Sequence, residues 1–334
     1  MPRRNDHNEE GITDSAISVF EKPVMQWKYG DKFLVGHILA RRELLSHPIE
    51  YMTTLVQLGY EPVPPTISKN IFGRTTLYNA SFFSYMNYII RSDGIFGIYR
   101  GLKYNIATTI AYKFTYLNFN HWLGETKYFK STESTDKDLE HTDLLELLKY
   151  LCRESVSRFV ALGVSYPFRV LMIRSMAQFI GGETYYNSMI DGLSDIINNG
   201  GILSLWDGFY PYFFGYLTFL AIEKILLFLF HNSFDKKYQI GSNPFVGQLS
   251  GIVARSLTYP FRITSTIMAC NGPSAQSLAA SAFTGKAYSN WIECARTLYS
   301  RNEIKRGSSL FWRVQPINTF GFQPMVPFKK PKRE

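Results

Sequence analysis

Nowhere in this 334-residue chain does an uncharged apolar run reach the roughly 20 residues that a helix needs to cross a bilayer. Mean hydropathy is only −0.11, which excludes a uniformly greasy membrane protein. Cysteine is scarce. Cys152, Cys270 and Cys294 lie far apart, so there is no disulfide framework and no thiolate metal spacing; free thiols in a reducing setting fit best. No phosphate-binding glycine loop, zinc spacing or nucleophile elbow occurs, so no enzyme activity and no cofactor is expected. The formal net charge is +9, yet no nucleic-acid motif accompanies it. Basic residues flank apolar segments instead, which suits anionic lipid head groups. Residues 1–32 read as a mobile extension. Arg3 and Arg4 are mixed there with Asp6, Glu9, Glu10 and Asp14, without the apolar core of a signal peptide or the acid-poor composition of a presequence. Any membrane address must be internal.

What the chain does have is a module present three times. Each copy brings a helix to a proline corner: Ser46-His47-Pro48-Ile49-Glu50, Ser165-Tyr166-Pro167-Phe168-Arg169 and Thr258-Tyr259-Pro260-Phe261-Arg262. A second mark follows, from Gly94 to Gly101, from Gly201 to Gly208 and from Gly307 to Val314, each with an aromatic residue near its end. An apolar, aromatic helix is expected after the first two marks. After the third, the sequence is broken by Pro316, Pro324, Pro327 and Pro331, and no sixth span is expected.

Five segments have the length of spans: about 33–58, 102–123, 147–180, 209–231 and 244–270. Shorter amphipathic segments at about 75–91, 185–199 and 288–302 suit helices lying along a membrane surface or packed under the bundle. The repeats are therefore placed at 33–123, 143–231 and, truncated, 244–314, followed by a basic tail at 315–334. The stretch 124–142 is a polar linker.

Every span carries charge, and charge at bilayer depth normally faces protein or water. Helical steps of three and four put Glu43, His47 and Glu50 on one face of the first span. Glu154, Arg158 and Arg169 share a face of the third, and Arg255 and Arg262 one of the fifth. Lys113 lies on the second span, Tyr216 and Glu223 on the fourth. Together they predict a wet interior. Glu154 can equally pair with Arg158 at i,i+4 as a purely structural contact. Pro48, Pro167 and Pro260 are read as kinks whose freed carbonyls neighbouring groups satisfy.

Proline corner, surface helix, aromatic–glycine mark and second helix, three times over, resemble the mitochondrial solute-carrier fold. The segments Val56–Arg74, Arg174–Gly181, Leu257–Phe261 and Arg306–Phe311 resemble, more narrowly, the mitochondrial carrier homolog family. The resemblance implies an all-α multi-pass protein of the outer mitochondrial membrane. It further implies insertion of tail-anchored and other helical client proteins, and a link to apoptotic regulators. Carriers of the wider fold place an acid two residues after the corner proline and a base three further on, and the pairs close the pore. Here those places hold Glu50, Arg169 and Arg262, then Thr53, Met172 and Ser265. One acid and two arginines cannot make three ion pairs. The expected architecture is a three-repeat bundle lacking its sixth transmembrane helix, with a polar groove open to lipid between the first and fifth spans. The expected function is a membrane-protein insertase whose partners are the bilayer and hydrophobic helical clients. A docking protein for apoptotic or metabolic regulators, and less readily a solute carrier, stay open as alternatives.

Overall fold

Three of the five long helices contain a proline in their interior, and each runs on for two turns or more beyond it. The computed structural model describes residues 29–69, 73, 75–126, 144–230, 244–272, 275, 288–311 and 313–315. Most of the N-terminal extension, most of the 124–142 linker and all but the first residue of the basic tail fall outside them, as does any test of a sixth span. The long helices are α1 Tyr29–Leu58, α3 Leu102–Glu125, α4 Leu144–Ala177, α6 Phe209–Phe230 and α7 Pro244–Ala269. Their ends lie within a few residues of the predicted ones. The short helices are α2 Phe82–Asp93, α5 Met189–Gly200 and α8 Trp291–Ser300.

Local chemistry accounts for the short helices. The hydroxyl of Ser81 accepts from the Ser84 amide at the start of α2. At α8, the Asn290 side chain accepts from Glu293 N–H, while the Glu293 carboxylate reaches back to the Ser289 amide at 3.1 Å. Gly94 and Gly201, both at positive φ, end α2 and α5. After α8 the first residue at positive φ is Asn302.

The corner prolines do not break their helices. A proline removes the hydrogen bond to the carbonyl four residues earlier. For Pro167 that carbonyl belongs to Gly163, and the Trp206 indole N–H takes it at 2.8 Å. The residue before each proline then ties its module together. His47 Nε2 meets Arg100 O at 2.9 Å, Tyr166 Oη donates to Asp207 O at 3.0 Å, and Tyr259 Oη donates to Arg306 O at 2.6 Å.

The next residue in each case is a glycine at φ between +80° and +87°, and it packs on the following module. A Cβ on Gly101 would lie 3.3 Å from Met172 O, one on Gly208 2.6 Å from Ser265 O, and one on Gly307 3.4 Å from Thr53 O. Module one thus rests on two, two on three, and three on one. This corrects the predicted register of the third mark. Gly307 corresponds to Gly101 and Gly208, which end their marks, and not to Gly94 and Gly201, which begin them.

A small sheet accompanies the helices of this all-α fold. Strands β1 Thr66–Lys69 and β2 Thr75–Tyr78 form an antiparallel pair, and β3 Val314–Gln315 adds to the far side of β2. Residues 75–78, expected to be helical, are therefore a strand. Their run of threonines suits a pleated surface, and β3 returns from more than two hundred residues away, where no local pattern reveals it. Arg313 anchors that return: it pairs with Glu61 and donates to Ala80 O at 2.5 Å. Burial raises the Glu61 carboxyl above its ordinary pKa despite the opposing pull of Arg313.

The long helices carry their polarity inside. Arg174 is fully buried, with Nε donating to Ala269 O at 2.9 Å and Nη2 3.5 Å from Asp207. Gln57, Glu154 and Lys224 are buried too. Outward stand Leu45, Phe114, Val164, Tyr210, Leu229, Ile252 and Leu257. Buried charge under an exposed apolar surface reverses the arrangement of a water-soluble domain and fits a hydrocarbon surround. The segments Leu148–Ala177 and Ile202–Phe230 are long and apolar enough to cross a membrane, and only 6% of the apolar window in the second is buried inside the protein.

Candidate functional site

Between α1, α3, α4 and α6 lies a cavity of about 260 Å³. Its charged lining is Arg42, Glu43 and Glu50 from α1 and Arg169 from α4. Asn105, Thr108 and Thr109 of α3, Ser165 of α4 and the phenols of Tyr112, Tyr166, Tyr212 and Tyr216 add neutral polar groups. Among the described residues, α7 contributes nothing to this lining.

Position follows from the corners. Glu50 and Arg169 both sit two residues beyond their prolines, so the three-module ring brings them to one depth. Glu43 is two turns earlier on the same face as Glu50. Asn105, one turn into α3, donates to Glu50 Oε2 at 3.1 Å and meets His47 Nδ1 at 3.2 Å. With His47 Nε2 on the Arg100 carbonyl, the ring is a neutral tautomer donating from Nε2 and accepting at Nδ1. His47 is thus a buried structural strut and does not line the cavity, although it shares a helical face with residues that do.

Arg169 has no such satisfaction. It is 9% exposed, its guanidinium lies over the Tyr212 ring at 4.1 Å, and its Nε has no hydrogen-bond partner. Arg262, the third residue of the expected convergence, is exposed and lines nothing here. Glu50 and Arg169 meet at one site and Arg262 does not; the three make no ring.

The remaining predicted residues divide between two other places. Arg158 pairs with Glu154 and donates to Tyr216 Oη. Tyr116 Oη donates to Glu154 at 2.9 Å, and the guanidinium sits over the Tyr116 and Tyr216 rings. This is the i,i+4 structural pair, caged by phenols beside the cavity, and Tyr216 is the wall between them. Glu223 and Arg255 belong to the α6–α7 contact. The position of a Cβ on Gly251 would be 3.4 Å from Glu223 Oε1 and 3.2 Å from Arg255 Nη2. Lys113 is half-buried on α3 and is not part of the lining. The expectation that Glu43, Arg158, Glu223 and Arg255 face one cavity holds for Glu43 alone, because steps along a helix fix a face but not which neighbour that face meets.

Sequence reasoning missed Gln57. Its Oε1 accepts from Thr266 at 2.9 Å, its Nε2 donates to Tyr259 Oη at 2.9 Å, and its carbonyl accepts from Arg306 at 2.7 Å. Among the described residues both side-chain hydrogen bonds between α1 and α7 come from this residue. It sits nine residues past Pro48, inside the family-like segment Val56–Arg74, where nothing singled it out as a contact. Asn105 was missed also; a polar amide four residues after the mark glycine was its one signal. Among the described residues, no cluster of histidine, cysteine, aspartate or glutamate could hold a metal ion.

The comparisons agree with this geometry. A family model described as "Mitochondrial carrier protein" matches residues 144–238, the second module. "Mitochondrial carrier homolog 2" of Mus musculus is 30% identical over 278 residues, covering 82% of this chain and 91% of that protein. "Mitochondrial carrier homolog 1" of Mus musculus is 29% identical over 292 residues, covering 80% of this chain and 73% of that protein. The Homo sapiens "Mitochondrial 2-oxoglutarate/malate carrier protein" is 24% identical over 156 residues, 45% of this chain and 44% of that protein. Similarity of that extent to carrier homolog 2 means that the chain belongs to the mitochondrial carrier homolog family.

Proposed function

We propose that the protein inserts hydrophobic helical proteins, tail-anchored ones among them, into the outer mitochondrial membrane. The family supports a mitochondrial membrane location. The observation that carries the reading is the cavity: charged and hydroxyl-rich, set inside helices that show apolar surface outward, and lined from four helices but not from α7. A charged side chain at bilayer depth costs about 2.5–3.5 kcal/mol or more. A polar lining lowers that cost for a client's flanking residues while its apolar segment leaves sideways. Burial of roughly 20 apolar residues in lipid supplies the driving force, so no nucleotide is required. The exit lies between α1 and α7, which Gln57 joins at the corner end. The absence of three ion pairs at the corners argues against an alternating gate.

The test is reconstitution. Purified protein in liposomes is mixed with a tail-anchored client, and protease protection of the client's far flank is measured. Protection above that of protein-free liposomes is expected. Equal protection in both would overturn the reading and leave a docking protein for apoptotic or metabolic regulators. A solute-carrier reading draws on the match to the oxoglutarate/malate carrier and on Arg42 and Arg169 in the cavity. Exchange of a dicarboxylate across the same liposomes is its test, and exchange without insertion would favour it.

A further inference from the structure

The cavity holds a guanidinium that faces Glu50 without closing an ion pair with it. Arg169 is nine-tenths buried, lies over the Tyr212 ring, and keeps a buried Nε without a hydrogen-bond partner. A buried charge without a closing ion pair is costly unless something completes it. A planar guanidinium offers two parallel N–H donors that match a carboxylate. The opposite wall carries Glu43 and Glu50, and with Arg42 the lining sums to two cations and two anions. A ligand bearing one carboxylate and a nearby cation complements all of it, whereas a simple anion would be set against two carboxylates.

Within a polypeptide client, the α-carboxylate belongs to the C-terminal residue alone. We infer that the cavity binds the C-terminal end of a client polypeptide, its α-carboxylate on Arg169 and a neighbouring basic side chain against Glu50 and Glu43. This rests on the insertion reading and adds to it a recognised chemical group: the flank that enters first is a free chain end. The same chemistry is carried by a free basic amino acid or by a zwitterionic lipid head group, and the experiment separates the sources.

Binding is measured on the whole protein in nanodiscs, with a short peptide ending in lysine as free acid and as C-terminal amide. The free acid should bind about tenfold more tightly, the equivalent of one charge-assisted hydrogen-bonded pair at about 1.4 kcal/mol. Arg169→Gln should abolish that discrimination. Arg169→Lys, which keeps the charge and loses the fork, should retain only part of it, and thermal melts of both variants report whether they are folded. Glu50→Gln should weaken the preference for lysine over norleucine at the peptide end without removing the acid–amide difference. Equal binding of acid and amide, or discrimination that survives in a folded Arg169→Gln protein, would overturn the proposal. Equal competition by free lysine or by phosphoethanolamine would also overturn it, transferring the site to a solute or a head group. If the liposome assay shows no insertion while the acid–amide difference stands, the insertion reading fails and the carboxylate site does not.

Discussion

Replacing Gly208 by alanine tests the three-module ring directly. Two costs add. At φ +82° a side chain enters the left-handed region, which costs about 1–2 kcal/mol. The new Cβ would also lie 2.6 Å from the Ser265 carbonyl oxygen, a backbone atom that moves only if α7 moves. Overpacking of this kind costs about 1–3 kcal/mol, giving about 2–5 kcal/mol in all. Gly182 supplies the control: its φ is +75° but nothing lies within 4 Å, so its alanine variant carries the conformational cost alone. Gly163, with open space and no positive φ, should be neutral or slightly stabilised by alanine, by up to about 1 kcal/mol in a helix. Gly101, whose Cβ would lie 3.3 Å from Met172 O, and Gly307, at 3.4 Å from Thr53 O, should fall between Gly182 and Gly208. Thermal unfolding in detergent, followed by tryptophan fluorescence, ranks the series. An excess of about 1–3 kcal/mol over the Gly182 variant corresponds to several degrees at about 2–4 °C per kcal/mol. If Gly208→Ala melts together with Gly182→Ala, the glycine–carbonyl contact between modules two and three does not hold the corner, and the ring argument fails.

Removing Arg158 alone (Arg158→Leu) should destabilise by about 3–5 kcal/mol, because Glu154 is left buried and unpaired; adding Glu154→Leu should restore most of the loss in the same melts, and additive effects would refute the pairing. Arg313→Ala removes the group that opposes the upward shift of the Glu61 carboxyl. Folded Glu61 then holds its proton more tightly than unfolded Glu61, so stability falls as pH rises through the interval between the two pKa values. The variant should therefore lose more relative to wild type at pH 8 than at pH 5, and a pH-independent difference would refute this reading. Burial pushes the thiol of Cys294 up to about 12. It should resist N-ethylmaleimide at neutral pH in the folded protein and react after denaturation; rapid labelling in the native state would contradict its burial.

The sequence by itself determined the parts that depend on neighbours in the chain. Length and composition placed five long helices to within a few residues, because apolar patterning, capping side chains and glycine stops act over one or two turns. Proline corners and marks disclosed the repeat, and the family followed from segments such as Val56–Arg74. The excess of arginine over glutamate at the corners was enough to exclude three ion pairs. Tertiary structure decided what meets what. Gly307 took its place in the ring because Thr53 lies beneath it, not because of its spacing from Val314. The strand at Val314 formed because Thr75–Tyr78 offered an edge. Glu43 and Glu50 came to face Arg169, while Arg158 turned to Glu154 and Arg255 to the α6–α7 contact, although all lie on helical faces that look alike in one dimension. A helical face is set by 3.6 residues per turn, a local property. The partner of that face is set by how helices distant in the chain pack around the corners, and no period in the chain encodes it.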